Sequence, residues 1–248
     1  MIDKLTQYYR QAGILSTDFH CPYYEQCAAG TPGLITGKAA YIGSAYEKRT
    51  LPRILFLSLD AGSDQEFETP EKRTPQGVRA VEARQTWQRF NPLWHWPATH
   101  RLAVWVAQIF NPALTFDDAN PLFAHTNSAK CCVIKKDRGQ SPEVLFRNCK
   151  NYLPQELSIL DPDILIAQGG HAHKAVEFSC PDVSNQAEYL SVVAIQERIR
   201  VISINDHPVL YIKMIYPTWR NDRTRKQEKE LYPYYLEAVK AFAKHINI

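Results

Sequence analysis

Residues 53 to 59, RILFLSL, are almost continuously apolar, preceded by Pro52 and halted by the turn signal Asp60-Ala61-Gly62-Ser63. A run this short reads as a β-strand buried on both faces, and such a strand needs helices above and below it. Three further segments resemble it: LFAHTNS at 122 to 128, DILIAQGG at 163 to 170 and RVISIND at 200 to 206. Between the second and third, Ser141-Pro142-Glu143 looks like an N-cap, a first-turn proline and an early acid. It opens a helix that carries Val144, Leu145, Cys149, Leu153 and Leu157 and runs to about Leu160. Another helix follows Gly170, a third spans roughly Arg225 to His245 with Pro233 inside it, and residues 3 to 12 form an opening helix.

Buried strands alternating with helices favour a parallel sheet, because right-handed crossovers place the helices on its faces. The expected fold class is α/β: a three-layer α/β/α sandwich around a central four-stranded parallel sheet. Residues 1–248 read as a single domain with an insert at about 63–121, where helical patches at 76 to 89 and 99 to 110 surround Trp94-His95-Trp96-Pro97. That aromatic stretch reads as a core corner rather than a stacking platform. With 45% hydrophobic and 22% charged residues, disordered and collagen-like classes are excluded. No window reaches about 18 apolar residues, and MIDKLTQYYR has neither an apolar core nor a cleavage site of the secretory kind. A soluble, cytoplasmic monomer without a membrane partner is the expectation. The net charge of +3 decides little, so nucleic-acid binding would need basic residues gathered on one face.

Open α/β sheets hold ligands outside the carboxyl ends of their strands. Asp60 closes the first strand, Asn127 lies near the end of the second, and Asp206-His207-Pro208 closes the fourth, which offers a carboxylate, an amide and an imidazole to one crevice. Each also has an ordinary reading, as a turn cap, a backbone partner or a loop histidine. The six cysteines are too few for a disulfide scaffold at this length, so they are free thiols or metal ligands. Cys180, just before Pro181, reads as a packed thiol.

These features resemble the uracil-DNA glycosylase superfamily, in particular its iron-sulfur branch, often called family 4. The resemblance covers most of the chain. Ser58-Leu59-Asp60-Ala61-Gly62 is similar to the family's Gly-x-(acid, Asn or Ala)-Pro motif after the first strand, with Ser58 and Ala61 in place of its glycine and proline. Asn127-Ser128-Ala129-Lys130-Cys131 looks like its Asn-x-x-Lys-Cys, and residues 148 to 176 follow its order of cysteine, helix, strand and glycine. His207-Pro208 resembles the His-Pro pair that follows its last strand. The resemblance implies a structural 4Fe-4S cluster on Cys21, Cys27, Cys131 and Cys149, although five residues separate the first pair, a longer gap than the family's, and adjacent Cys132 leaves the third ligand open. Zinc is disfavoured, since paired Cys-x2-Cys knuckles are lacking.

What the resemblance implies chemically is hydrolysis of the N-glycosidic bond of uracil, or a related modified base, flipped out of DNA during base excision repair. Asn127 would read the base, His207 would donate to the departing base, and Asp60 would face the sugar or orient a water. Lys130, Lys135, Lys136 and Arg220 would meet phosphate, alongside Arg138, Lys213, Arg223, Arg225 and Lys226. Leu210 or Tyr211 would wedge into the vacated stack, and Phe67 or Phe90 would stack on the base. His171 and His173 read as solvated histidines. The alternative is a non-catalytic or modified-base-specific DNA-binding member of the same fold, for example in a defence system. An iron-sulfur nuclease ranks below both, because a third acid near Asp60 and Asp206 is missing.

Overall fold

The computed structural model describes residues 1–29, 31–61, 69–133, 141–183, 196–217 and 222–246. In chain order the elements are α1 (Ile2–Gln11), α2 (Tyr24–Ala28), β1 (Leu34–Ile35), β2 (Tyr41–Ile42), α3 (Ser44–Lys48), β3 (Ile54–Asp60), α4 (Pro75–Glu82), α5 (His95–Ala107) and α6 (Ala119–Leu122). They continue with β4 (Phe123–Ala129), β5 (Cys132–Val133), α7 (Glu143–Cys149), α8 (Leu153–Leu160), β6 (Ile164–Gln168), α9 (Gly170–Ser179), β7 (Ile199–Ile204), β8 (His207–Met214) and α10 (Asp222–His245).

The protein is α/β, with a mixed six-stranded sheet in the order β2-β4-β3-β6-β8-β7 and helices flanking it. β4, β3, β6 and β8 run parallel to their neighbours, while β2 and β7 pair antiparallel at the two edges. The expectation of a four-stranded parallel sheet ending at residue 206 is corrected here. The 200 to 206 segment lies in the antiparallel edge strand β7, and the parallel strand is β8, which sequence reading passed over. Asn205 and Asp206 have φ of 51° and 61°, so two consecutive left-handed residues reverse the chain between the paired Ile204 and His207. Pro208 weakens a strand reading. It is tolerated because β8 meets β6 only from Leu210, opposite Ile164, so its missing N–H interrupts no bond on that side.

Sheet parity sorts the polar residues. Phe56, Ser58 and Asp60 on β3 share a face with His125, Asn127 and Ala129 on β4, since parallel partners point the same way. This face is covered by α5, whose His95 and Thr99 reach Ser58 and Gln168. α10 packs beside α5, with Trp105 and Tyr232 in edge contact. The insert is therefore not peripheral, because it supplies one covering layer. On the opposite face Thr126 and Lys130 meet Glu156 of α8, which Tyr9 of α1 also reaches.

The helix expected from 143 to 160 is two helices. A 3-10 turn at Lys150–Tyr152 separates α7 from α8, whose first turn holds Pro154, a residue with no N–H to continue a preceding helix. Ser141 does not cap α7; its hydroxyl donates to Asp60 instead.

Candidate functional site

Asp60 ends β3 at the carboxyl edge of the parallel strands, and Asn127 lies one register step back on β4, opposite Ser58 and on the same face. Asp60 is partly exposed and accepts a hydrogen bond from Ser141 Oγ. Asn127 is only 5% exposed, yet among the described residues its amide makes no side-chain hydrogen bond.

Beside this pair lies a buried polar network. Ser58 Oγ stands 2.8 Å from His125 Nε2 and 3.2 Å from His95 Nε2, and donates to Gln168 Oε1 at 2.9 Å. Burial pushes the His95 imidazole down to about 3, helped by His100 and Lys38 and opposed by the charge of Asp60. His125 is held well below its usual range, again first by burial and then by its neighbour His95. Both rings are therefore neutral at ordinary pH. His95 Nδ1 is buried without a partner, and its ring stacks on Tyr216 at 4.8 Å with 9° between planes. Burial, then the charge of Asp60, raises the Tyr216 phenol, which stays a neutral hydroxyl. Gly169 takes φ +102°, a left-handed backbone that favours glycine, and a Cβ there would lie 2.9 Å from Leu59 Cδ2. The arrangement joins one carboxylate, one unengaged amide and one neutral phenol.

His207 does not belong to it. It opens β8, and because β8 runs parallel to β6, that start lies at the opposite end of the sheet, about 23 Å along the strand from Met214. Its Nε2 stands 3.6 Å from Asp161 Oδ1 and 3.4 Å from Pro162 O. Asp206 sits in the turn at that same end. The pair that follows the last parallel strand is Tyr216-Pro217.

Several expected DNA contacts are also displaced. Lys130 is 2% exposed, projects from the other face, and pairs with Glu156 while donating to Thr126 Oγ1 at 2.7 Å. Leu210 lies in the interior of β8 between β6 and β7, fully buried like its neighbour Tyr211, so neither is a wedge. Lys135, Lys136, Arg138, Arg220 and Phe67 lie outside the described residues. The expected core corner divides: Trp96 packs between Trp87, at 5.7 Å, and His125, at 4.6 Å, while Trp94 is 54% exposed and His95 enters the site. His173 contacts the carbonyls of Ala167 and Met214, and His171 stacks on Phe146, so neither is merely solvated.

The cysteines come together. Cys21 and Cys27, from one stretch around α2, line one small cavity with Cys131 and Cys149 and the aromatic neighbours Phe19, Tyr23, Tyr24 and Tyr152. Their sulfurs have hydrogen-bond partners: the Lys130 N–H at 3.3 Å from Cys149 Sγ, Asn148 Nδ2 at 3.4 Å from Cys27 Sγ, and Tyr152 Oη at 3.1 Å from Cys21 Sγ. Burial pushes the Cys149 thiol up to about 11. Cys131 is also raised, first by burial and then by the charge that Cys149, Cys21, Cys27 and Cys132 would carry. Cys132 faces elsewhere, 3.8 Å from Arg73 Nη2 and within the electrostatic reach of Asp60 and Lys38. Among the described residues, no group of three or more His, Cys, Asp or Glu is arranged to hold a single metal ion. Cys180 is a buried thiol raised to about 12 by burial alone.

Sequence reasoning missed Ser58, His95, His125, Gln168 and Tyr216 as site residues. The signal for His125 was available: it precedes Asn127 by two residues and so shares its face. Among the described residues no helix is long and apolar enough to cross a membrane. Compared with known proteins, the chain matches no protein-family model and no curated protein sequence.

Proposed function

We propose that the chain is an N-glycosidic hydrolase of the uracil-DNA glycosylase type, releasing uracil or a related modified base from DNA. The observation that carries this reading is the placement of Asp60 and the unengaged Asn127 amide one register step apart at the carboxyl edge of parallel strands. Flipping a base costs a few kcal/mol, which contacts in the pocket must offset. The Asn127 carbonyl accepts from uracil N3–H and its amide donates to O4, a pattern that cytosine frustrates. Asp60, oriented by Ser141, supports positive charge growing on the sugar or directs a water to it. With His207 at the far end, Tyr216 is the group placed to donate to the departing base. Its raised pKa keeps the proton on the phenol.

Cys21, Cys27, Cys131 and Cys149 would hold the 4Fe-4S cluster. They fit it by donor set: four thiols around one cavity, each pair from a different part of the chain, in an aromatic shell with N–H and O–H donors to sulfur. When bound, the cluster supplies a structural tie and no step of base release.

The test uses protein purified anaerobically and oligonucleotides bearing one uracil or one modified base. The expected result is alkali-labile sites that depend on Asp60, with about four irons per chain that fall away in Cys149→Ser. A colourless but active protein removes the cluster alone. The binding alternative is favoured by one observation, the tyrosine standing where an imidazole was expected. Tight DNA binding with no release of any base offered would establish it instead.

A further inference from the structure

The segment leaving β8 serves two places. Tyr216 lies against His95, whereas Met214, Ile215 and Pro217 line a separate hollow of about 260 Å³ between α5 and α10. Across it stand Trp105 and Leu93, 42% and 43% exposed, with Tyr232 in edge contact with Trp105 at 5.6 Å. Exposing so much indole and leucine surface to water is unfavourable, and concave apolar exposure of this kind marks binding sites.

Two cations border the hollow. Neither Arg101 nor Lys229 has an ion pair among the described residues, although the Arg101 guanidinium lies 5.1 Å from the Phe116 ring. The one carboxylate in the lining, Glu228, is already engaged: Arg198 Nη1 at 2.7 Å, Tyr235 Oη at 2.9 Å and the Ile215 N–H at 3.3 Å all donate to it. A purely apolar ligand would bury Arg101 and Lys229 without a counter-charge. An acidic ligand without a ring would leave Trp105 in water. A flat aromatic group carrying an anion meets both demands.

We propose that this hollow is a nucleotide subsite, in which a base stacks on Trp105 and its phosphate lies between Arg101 and Lys229. Its place beside Tyr216 fits a neighbouring nucleotide of the strand that enters the crevice. The subsite does not require that any base be released, so its test uses DNA without a target base.

Binding of fluorescein-labelled octathymidylate to the full-length protein is followed by anisotropy. The expected result is saturable binding, weakened about tenfold or more in Trp105→Ala and largely kept in Trp105→Phe, since stacking contributes roughly 1–3 kcal/mol per base. Arg101→Ala and Lys229→Ala should each lower the salt slope by about one. Phe178→Ala, at an aromatic on α9 that is even more exposed, should change nothing. Thymidine monophosphate competing as well as the octamer keeps the subsite and makes its ligand a free nucleotide. Equal affinity for an abasic octamer, an unchanged Trp105→Ala at unchanged thermal midpoint, or self-association abolished by Trp105→Ala overturns the proposal. Loss of base release with these results intact would dismiss only the glycosylase reading.

Discussion

The two ends of the central strands are both rich in polar residues, but they use them differently. At the amino end Arg49 pairs with Asp163 at 2.6 Å, Arg53 with Asp161 at 2.8 Å, His207 approaches Asp161 at 3.6 Å, and the Arg53 N–H donates to Asp163 at 2.7 Å. The charges there answer one another. At the carboxyl end His95 Nδ1 is buried without a partner and, among the described residues, the Asn127 amide makes no side-chain hydrogen bond, next to a partly exposed carboxylate. Polar density therefore does not mark a site. What sets the carboxyl end apart is polar capacity left unused at the strand termini, where a ligand could take it up.

The sharpest way to break this comparison is to mutate one residue at each end. Asp60→Asn should slow single-turnover base release by about 10²–10⁴-fold, the range for loss of a positioned acid or base, whereas His207→Ala should stay within about twofold. Equal losses would erase the distinction. Next in size is the other face of β4. Lys130→Met strands the buried Glu156 carboxylate and should cost about 3–5 kcal/mol in urea unfolding, most of which returns in Lys130→Met with Glu156→Leu.

Acid gives a third measure. His95 and His100, lowered to about 3 and about 4 chiefly by burial, stay neutral in the folded state while the unfolded chain takes up protons below about pH 6.5. Stability should therefore fall as pH drops from 6.5, by up to about 1.4 kcal/mol per unit for each imidazole, and the fall ends below the folded pKa values. Urea midpoints at pH 7 and pH 5 read this slope, and His95→Gln should flatten it. The smallest effect belongs to the amino end: Arg49→Ala, at a side chain 45% exposed, should cost under about 1 kcal/mol.

Much of this was legible in the residues. β3 and β6 stood out because strands covered on both sides are apolar, β4 was the weakest of the readings because His125, Thr126, Asn127 and Ser128 interrupt it, and α9 starts at Gly170 as its glycine signal suggests. The four cysteines named through the family resemblance line one cavity. The failure at His207 has a single cause. The two-residue Asn205-Asp206 turn was read as a strand end, and the Pro208 that follows disguised the start of β8, so one unseen reversal moved the imidazole from one edge of the sheet to the other. Lys130 could have been placed by counting: an odd separation from Asn127 along a strand puts the two on opposite faces. Glu156, its counter-charge, comes from a helix 26 residues later, and no local pattern announces that pairing.

Cys131 and Cys132 are consecutive, yet one sulfur joins the four-thiol cavity and the next looks toward Arg73 on the Asp60 side. Cys131 follows two residues after the end of β4, the strand that bears Asn127. A rearrangement among the four sulfurs therefore pulls on a short tether to that strand's tip. Oxidative damage to the first compartment should then register in the second as a misplaced grip on its ligand, well before the protein unfolds.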